Sequence, residues 1–178
     1  MPMSPMDELL THQTPETFDQ VFTSDRNFYD RYYFNLHPES GDLFVVFGMG
    51  QYPNLGTTDA FVCVVHKGKQ HVVRCSRELG SDRTDTTIGP FGVEIVEPMQ
   101  SVRIFCKEND HGISFDLTFS GTSPAVEEPR TLVRKGTRIT MDTSRYTQLG
   151  RWQGEISIMG EAITVKSDEF LGVRDHSW

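Results

Sequence analysis

Apolar and polar residues alternate along most of the chain from Asn27 onward, which is typical of strands that bury one face and expose the other. The clearest example is Ile113–Phe119, where the odd-numbered residues are apolar and the residues between them are Ser114, Asp116 and Thr118. Short clusters rich in Gly, Pro, Asn and Asp separate such segments. Apolar spacing of helical period never extends beyond two turns. The pattern therefore predicts many short strands joined by turns.

Strands joined to their sequence neighbours by short turns form an antiparallel meander. A meander of about eight strands closes into a barrel or forms a sandwich, and closure removes the exposed edges that invite aggregation. We therefore predict an all-β fold, an antiparallel lipocalin-like barrel, with a β-sandwich as the alternative. Because Leu43–Phe47 is apolar on both faces, we expect that strand to be covered on both sides. Residues 143–150 are polar, and we expect a helical turn there.

The domain organisation follows from a change in composition near residue 25. Residues 1–25 are polar with scattered prolines, and we interpret them as an N-terminal arm that lies over the barrel mouth or edge, or as a leader. Helical turns are expected at Asp7–Leu10 and at Thr14–Phe18, the second with Pro in its first turn. Residues 26–178 then form the lipocalin-like β domain.

Charge and cysteine usage narrow the possible partners and the compartment. The net charge of −8 disfavours nucleic acid and anionic membrane surfaces as partners. The three cysteines, Cys63, Cys75 and Cys106, are an odd number spread over predicted strands, which favours buried free thiols in a reducing compartment. The N-terminus lacks a signal-peptide pattern, and no apolar run reaches the ~20 residues of a membrane helix. We expect a cytoplasmic protein.

The last predicted strand carries the richest chemistry. If it is extended, Arg174, His176 and Trp178 share one face with Phe170 and Gly172, whereas Asp175 and Ser177 lie on the other. With the first face inward, an imidazole that can transfer protons and an indole that can hold a developing cation line the interior. With the second face inward, burial raises the pKa of Asp175. The alternative is that these residues only hold the end of the domain together.

Other candidate sites are weaker. Tyr32, on the alternating first strand, and Glu94 are further candidates for lining a pocket, although a solvent-facing carboxylate is the more common outcome for Glu94. His66 and His71 flank a hairpin turn without a third ligand at a defined position, so we predict no metal site. Nucleophile motifs and phosphate-cradling loops are absent, and we predict no cofactor.

The final motif gives the chain a family resemblance. Asp175-His176-Ser177-Trp178 resembles the Asp-His-x-Trp-Gly segment of the AttH-like, carotenoid-hydratase-like lipocalin family. More closely, the chain resembles the first half of two-domain proteins in an uncharacterised subfamily of that group. The blocks that carry the resemblance are residues 31–35, 55–60, 82–86, 93–98, 127–130 and 172–178.

The resemblance implies two consecutive barrels with a pocket for hydrophobic molecules. It also implies that Asp175 and His176 are the proton-handling pair and that Trp178 is a pocket aromatic. The sequence departs from the hydratases at Arg174, where they carry an apolar residue, and at Ser177, where they carry Gln or Glu. Arg174 argues against a long isoprenoid substrate. The Gly that follows the family's Trp has no counterpart here, because Trp178 is the last residue.

Three functions remain open at this stage. The first is hydration, cyclisation or isomerisation of a hydrophobic, isoprenoid- or polyketide-like small molecule. The second is binding of a lipid-like ligand without chemistry, and the third is a β-sandwich interaction domain. The expected partners are a hydrophobic small molecule, a second lipocalin-like domain and, as a further option, a second copy of the chain.

Overall fold

A computed structural model gives the fold and describes residues 5–10, 12, 18 and 20–178. Within these residues one antiparallel sheet of twelve strands accounts for the architecture, together with 3-10 turns at Pro5–Glu8 and Pro53–Leu55. The strands are β1 (Asp30–Pro38), β2 (Leu43–Tyr52), β3 (Thr57–His66), β4 (Lys69–Glu78), β5 (Thr87–Ile88), β6 (Phe91–Glu97), β7 (Ser101–Cys106), β8 (Ile113–Gly121), β9 (Val126–Lys135), β10 (Arg138–Ile158), β11 (Glu161–Val165) and β12 (Phe170–Ser177).

The sheet curls into a nearly closed barrel. Its strand order is β4-β3-β2-β1-β12-β10-β8-β7-β6-β5, with β9 and β11 paired to β10. Arg77 on β4 connects the two edge strands of this order, β4 and β5. Its guanidinium donates to the carbonyl oxygen of Thr87 on β5 at 2.8 Å and pairs with Asp85 at 2.9 Å. The predicted lipocalin-like barrel is confirmed, and the sandwich alternative is wrong because the sheet does not divide into two layers.

Two local expectations are corrected. Residues 143–150 are not a helical turn but part of the 21-residue strand β10, because β9 and β12 flank them and supply backbone hydrogen-bond partners. In Leu43–Phe47 the burial alternates, and Phe44 is 40% exposed, because only one face of this strand meets the barrel core.

Aromatic and branched side chains fill the barrel interior. The ring of Phe47 makes edge contacts with Phe91 and Phe115, with centroids 5.8 and 6.0 Å apart. All three cysteines are free thiols, and burial raises the pKa of Cys106 to about 12, which makes this thiol unreactive.

A close approach of backbone and indole holds β1, β10 and β12 together. The Nε1 of Trp152 on β10 donates to the carbonyl oxygen of Asn35 on β1 at 2.8 Å. The side-chain oxygen of Asn35 accepts from the backbone N–H of Val173 on β12 at 2.9 Å. Gly172 allows this approach, because a Cβ there would lie 2.1 Å from the backbone carbonyl oxygen of Asn35 and 2.3 Å from Trp152 Nε1.

Parts of the N-terminal region contact the barrel. The side chain of Asn54 donates to the carbonyl oxygens of Thr23 and Asp25, each at 2.8 Å. The carbonyl oxygen of Phe18 accepts from Arg83 at 3.3 Å. The expected turn near Asp7 is the 3-10 turn Pro5–Glu8, whereas most of the turn expected at 14–18 lies outside the described residues. No helix in the described part of the chain is long and apolar enough to cross a membrane.

Substitution Gly172→Ala should lower the free energy of unfolding by about 3 kcal/mol, because the added methyl group overpacks a site bounded by backbone and indole. Urea denaturation measures this change. The control is Gly136→Asn, since Gly136 has a φ of 61° and open space around it, and Asn tolerates that conformation. Equal stability of Gly172→Ala and the wild type would show that the three strands do not meet as closely as described.

Candidate functional site

The candidate site is the barrel mouth, where β1 begins and β2 and β12 end beside the loop that joins β4 to β5. Its cavity has a volume of about 330 Å³ and is half open to solvent. Inward-facing positions of the strands form one wall, since Asp30 pairs with Gln51 and Tyr32 with Met49. The loop and the N-terminal region complete the lining with Phe18, Arg83, Thr84 and Thr86.

His176 faces the barrel interior and is hydrogen-bonded to Asp30, which lines the cavity. Its Nε2 lies 2.5 Å from Asp30 Oδ1, although the two residues are 146 positions apart in the sequence. The second carboxylate oxygen of Asp30 lies 3.3 Å from the guanidinium of Arg83. Asp30 therefore joins the last strand to the loop at the mouth and is the carboxylate partner of His176.

Three aromatic rings surround the imidazole of His176. The ring centroids of Tyr32, Tyr146 and Trp178 lie 4.7, 5.5 and 5.4 Å from that of His176. Burial raises the pKa of Tyr32 to about 12, and the nearby charge of Asp30 acts in the same direction. Burial also raises the pKa of Tyr146, whereas Arg174 opposes this shift. Both phenols therefore stay protonated at neutral pH and can donate hydrogen bonds.

The structure places Asp175 on the outer face of the barrel. Asp175 pairs in register with Tyr33 and Thr147, whose side chains also point outward. Partial burial raises the pKa of Asp175, and the nearby Arg145 opposes this shift. Because successive side chains of a strand point to opposite faces, Asp175 and His176 do not act on the same side of the sheet. The carboxylate at the mouth is Asp30 instead.

Arg174 and Glu94, the other charged candidates for lining a pocket, lie in opposite environments. Arg174 faces the barrel interior one layer below His176 and is only 2% exposed. Glu94 is exposed on the outer face, where it binds Arg103 at 2.9 Å beside Asp116, so it does not line the mouth.

Trp178 lies at the border between the site and a second groove. It is 45% exposed and contacts His176 on one side. On the other side it lines a groove of about 630 Å³ between residues 22–29 and the start of β10, together with Phe22, Phe28, Ile139 and Met141. Among the described residues no cluster of three His, Cys, Asp or Glu side chains suits a metal ion.

Asp30 is a candidate site residue that sequence reasoning missed. The available signal was its position two residues before Tyr32, which places both side chains on the same face of β1. The pairing of β1 with β12, which brings this carboxylate to His176, is not visible in the sequence. The resulting His–Asp pair, beside a half-open cavity and neutral phenols, can transfer a proton to or from a bound molecule.

Two solved structures resemble this fold at low sequence identity. Kievitone hydratase from Nectria haematococca matches with a TM-score of 0.60 and 13% identity, and the match covers 84% of this chain and 47% of that protein. The crystal structure of CghA with Sch210972 matches with a TM-score of 0.54 and 9% identity, over 84% of this chain and 45% of that protein. The chain thus spans about half the length of both proteins.

At these identities the likeness shows the fold alone. No curated protein matches the sequence. A family model, in contrast, matches residues 3–178, nearly the whole chain. The chain therefore belongs to the family of unknown function DUF8625.

Proposed function

We propose that the barrel mouth binds a hydrophobic small molecule and that His176, held by Asp30, transfers a proton during its hydration, cyclisation or isomerisation. The observation that carries this proposal is the 2.5 Å contact between His176 Nε2 and Asp30 Oδ1 beside the cavity at the mouth. The similarity in fold to a protein named kievitone hydratase supports the hydration class.

The pairing with Asp30 assigns separate roles to the two nitrogens of the His176 ring. When Nε2 donates its hydrogen to the carboxylate, the lone pair remains on Nδ1, which then acts as the base. The carboxylate also stabilises the imidazolium that forms when Nδ1 takes up a proton. Arg83 lies 3.3 Å from the other oxygen of Asp30 and helps to hold this carboxylate beside His176.

In a hydration at this site, the oxygen and both hydrogens of one water molecule end up on the product. His176 takes a proton from water as the water oxygen forms a bond to one carbon of a polarised C=C bond, and the imidazolium returns a proton to the other carbon. A double bond conjugated to a carbonyl suits this chemistry better than an isolated alkene does, because an imidazolium is a weak acid. The proposal therefore favours a polyketide-like or phenolic ligand over an unactivated isoprenoid.

We also propose that the ribbon formed by β9 and the first half of β10 is the contact surface for a second lipocalin-like barrel, either as another domain or as a second copy of the chain. Val133 and Met141 form an apolar cross-strand pair on this ribbon and are 46% and 45% exposed. Ile139 on the same ribbon is 47% exposed. Exposed apolar groups of this kind are typical of surfaces that bind a partner.

Substitutions His176→Gln and Asp30→Asn should each lower turnover by about 10²-fold or more, because they remove the proton acceptor and the group that orients it. Ligand affinity should change only a few-fold. Native mass spectrometry after incubation with a lipid extract identifies a bound ligand, and chromatography then measures its conversion. Ligand binding without conversion by the wild type would favour the non-catalytic binding module, and unchanged turnover in both variants would remove the pair from the mechanism.

Substitution Asp175→Asn should leave turnover unchanged and raise the melting temperature at neutral pH. Burial raises the pKa of Asp175, so the folded state disfavours its ionised form, and stability falls as the pH rises through the titration of this carboxyl. The gain from Asn should therefore shrink as the pH is lowered and the carboxyl becomes neutral. Thermal unfolding measured across the acidic range tests this. A stability gain independent of pH would contradict it.

The chain should self-associate at high concentration through the ribbon. The double variant Val133→Lys and Met141→Lys should weaken this association at least tenfold, because burying unpaired charges is costly. Light scattering over a concentration series measures it. Leu149→Lys is the control, since Leu149 is 57% exposed on the barrel body. A wild type that stays monomeric throughout the series would count against the second-copy form of the proposal.

A further inference from the structure

Arg174 is a buried charge inside the barrel. It is the only ionisable side chain among the fully buried polar residues of the described chain, and it is 2% exposed. In the strand register it lies opposite Phe34 on β1 and Gln148 on β10. A guanidinium stays charged in proteins, so this charge is retained inside the barrel.

The surroundings of Arg174 fix its position without neutralising it. Its Nε donates to Gln148 Oε1 at 2.8 Å. The amide nitrogen of Gln148 donates to the carbonyl oxygens of Met99 and Ser123 at 2.9 and 2.8 Å, so the amide oxygen must face Arg174. The rings of Phe119 and Tyr146 each lie 5.5 Å from the guanidinium carbon and hold the cation through their π-faces.

What this arrangement lacks is an anion. The buried Nη2 of Arg174 has no hydrogen-bond partner in the described structure. None of the ion pairs among the described residues includes Arg174, and Asp30 at the mouth contacts His176 and Arg83 instead. A buried charge with an unsatisfied donor is strongly unfavourable for a folded protein, and each such group calls for an explanation.

We propose that Arg174 binds the acidic oxygen of the ligand, a carboxylate, enolate or phenolate, so that the molecule bound by the barrel is a hydrophobic organic acid. This inference rests on the proposed binding function of the mouth. Tyr32 and Tyr146 form the layer above Arg174, so the proposal requires the acidic oxygen to pass between their rings to reach the buried Nη2. Arg174 precedes His176 by two positions on the same face, which separates the two groups by about 7 Å along the strand.

That separation defines the shape of the ligand. Its acidic oxygen is bound at Arg174, and the carbon that exchanges a proton with His176 lies several bonds away, toward the mouth. An enolate or phenolate conjugated to that carbon is stabilised further by Arg174 during the reaction, because the guanidinium stabilises negative charge that develops on the oxygen as the proton moves. Arg174 thus both selects acids and orients them relative to His176.

The test compares a hydrophobic acid with its uncharged ester. The probes are 2-naphthaleneacetic acid and its methyl ester, which share the same ring system, and binding is followed by their fluorescence. The wild type should bind the acid at least tenfold more tightly, as expected for a hydrogen bond to a charged group. Arg174→Met should bind acid and ester equally, with the affinity for the ester within about twofold of the wild type.

Arg138→Met is the matched control, because Arg138 is an exposed arginine at the far end of β10. This variant should keep the preference for the acid. The melting temperature of Arg174→Met without ligand should equal or exceed that of the wild type, because an unpaired buried charge has been removed. The comparison of the two probes on the wild type needs no variant, so equal binding of acid and ester overturns the inference even if Arg174→Met fails to fold.

The outcomes separate this inference from the proposal it rests on. Equal binding of acid and ester by the wild type would overturn the role of Arg174 and leave the binding function intact. Binding of neither probe would overturn both. A preference for the acid that survives in Arg174→Met would assign it to another cation, such as Arg83, and would also overturn the inference.

Discussion

The barrel depends on β12, which pairs with β1 on one side and with β10 on the other. A meander built only from sequence neighbours would leave the first and last strands apart, but β12 hydrogen-bonds to both β1 and β10 along most of its length. These three strands form a seam, and they pack most closely where Gly172 lets Trp152 reach the backbone of Asn35. Because this seam sets the register of all three strands, it also decides which side chains meet inside the barrel.

The charges inside the barrel follow from that register. One layer contains His176 with Tyr32 and Tyr146, and its imidazole pairs with Asp30, which also binds Arg83. The next layer contains Arg174, with a glutamine and two aromatic faces around it but no anion. We propose that the first layer transfers a proton and that the second, with its unpaired guanidinium, binds an acid.

Packed aromatic rings share the barrel interior with these charged groups. Phe47 pairs in register with Phe34, which in turn pairs with Arg174, and the ring of Phe47 contacts Phe91 and Phe115. In the function that we propose, groups of fixed orientation act on the bound molecule, and such preorganisation contributes to both selectivity and catalysis.

The sequence by itself determined the all-β class and the two faces of the last strand, because these depend on local alternation and turn composition, and it favoured a barrel over a sandwich without deciding between them. The motif that ends in Trp178 also singled out His176 and Arg174. Only the tertiary structure decided that the face of His176 points inward, that Asp175 points outward, and that residues 143–150 continue a strand. It also replaced Asp175 by Asp30 as the partner of His176. The physical reason is that strand pairing over 146 positions depends on the packing of the whole barrel, which no local pattern of residues encodes.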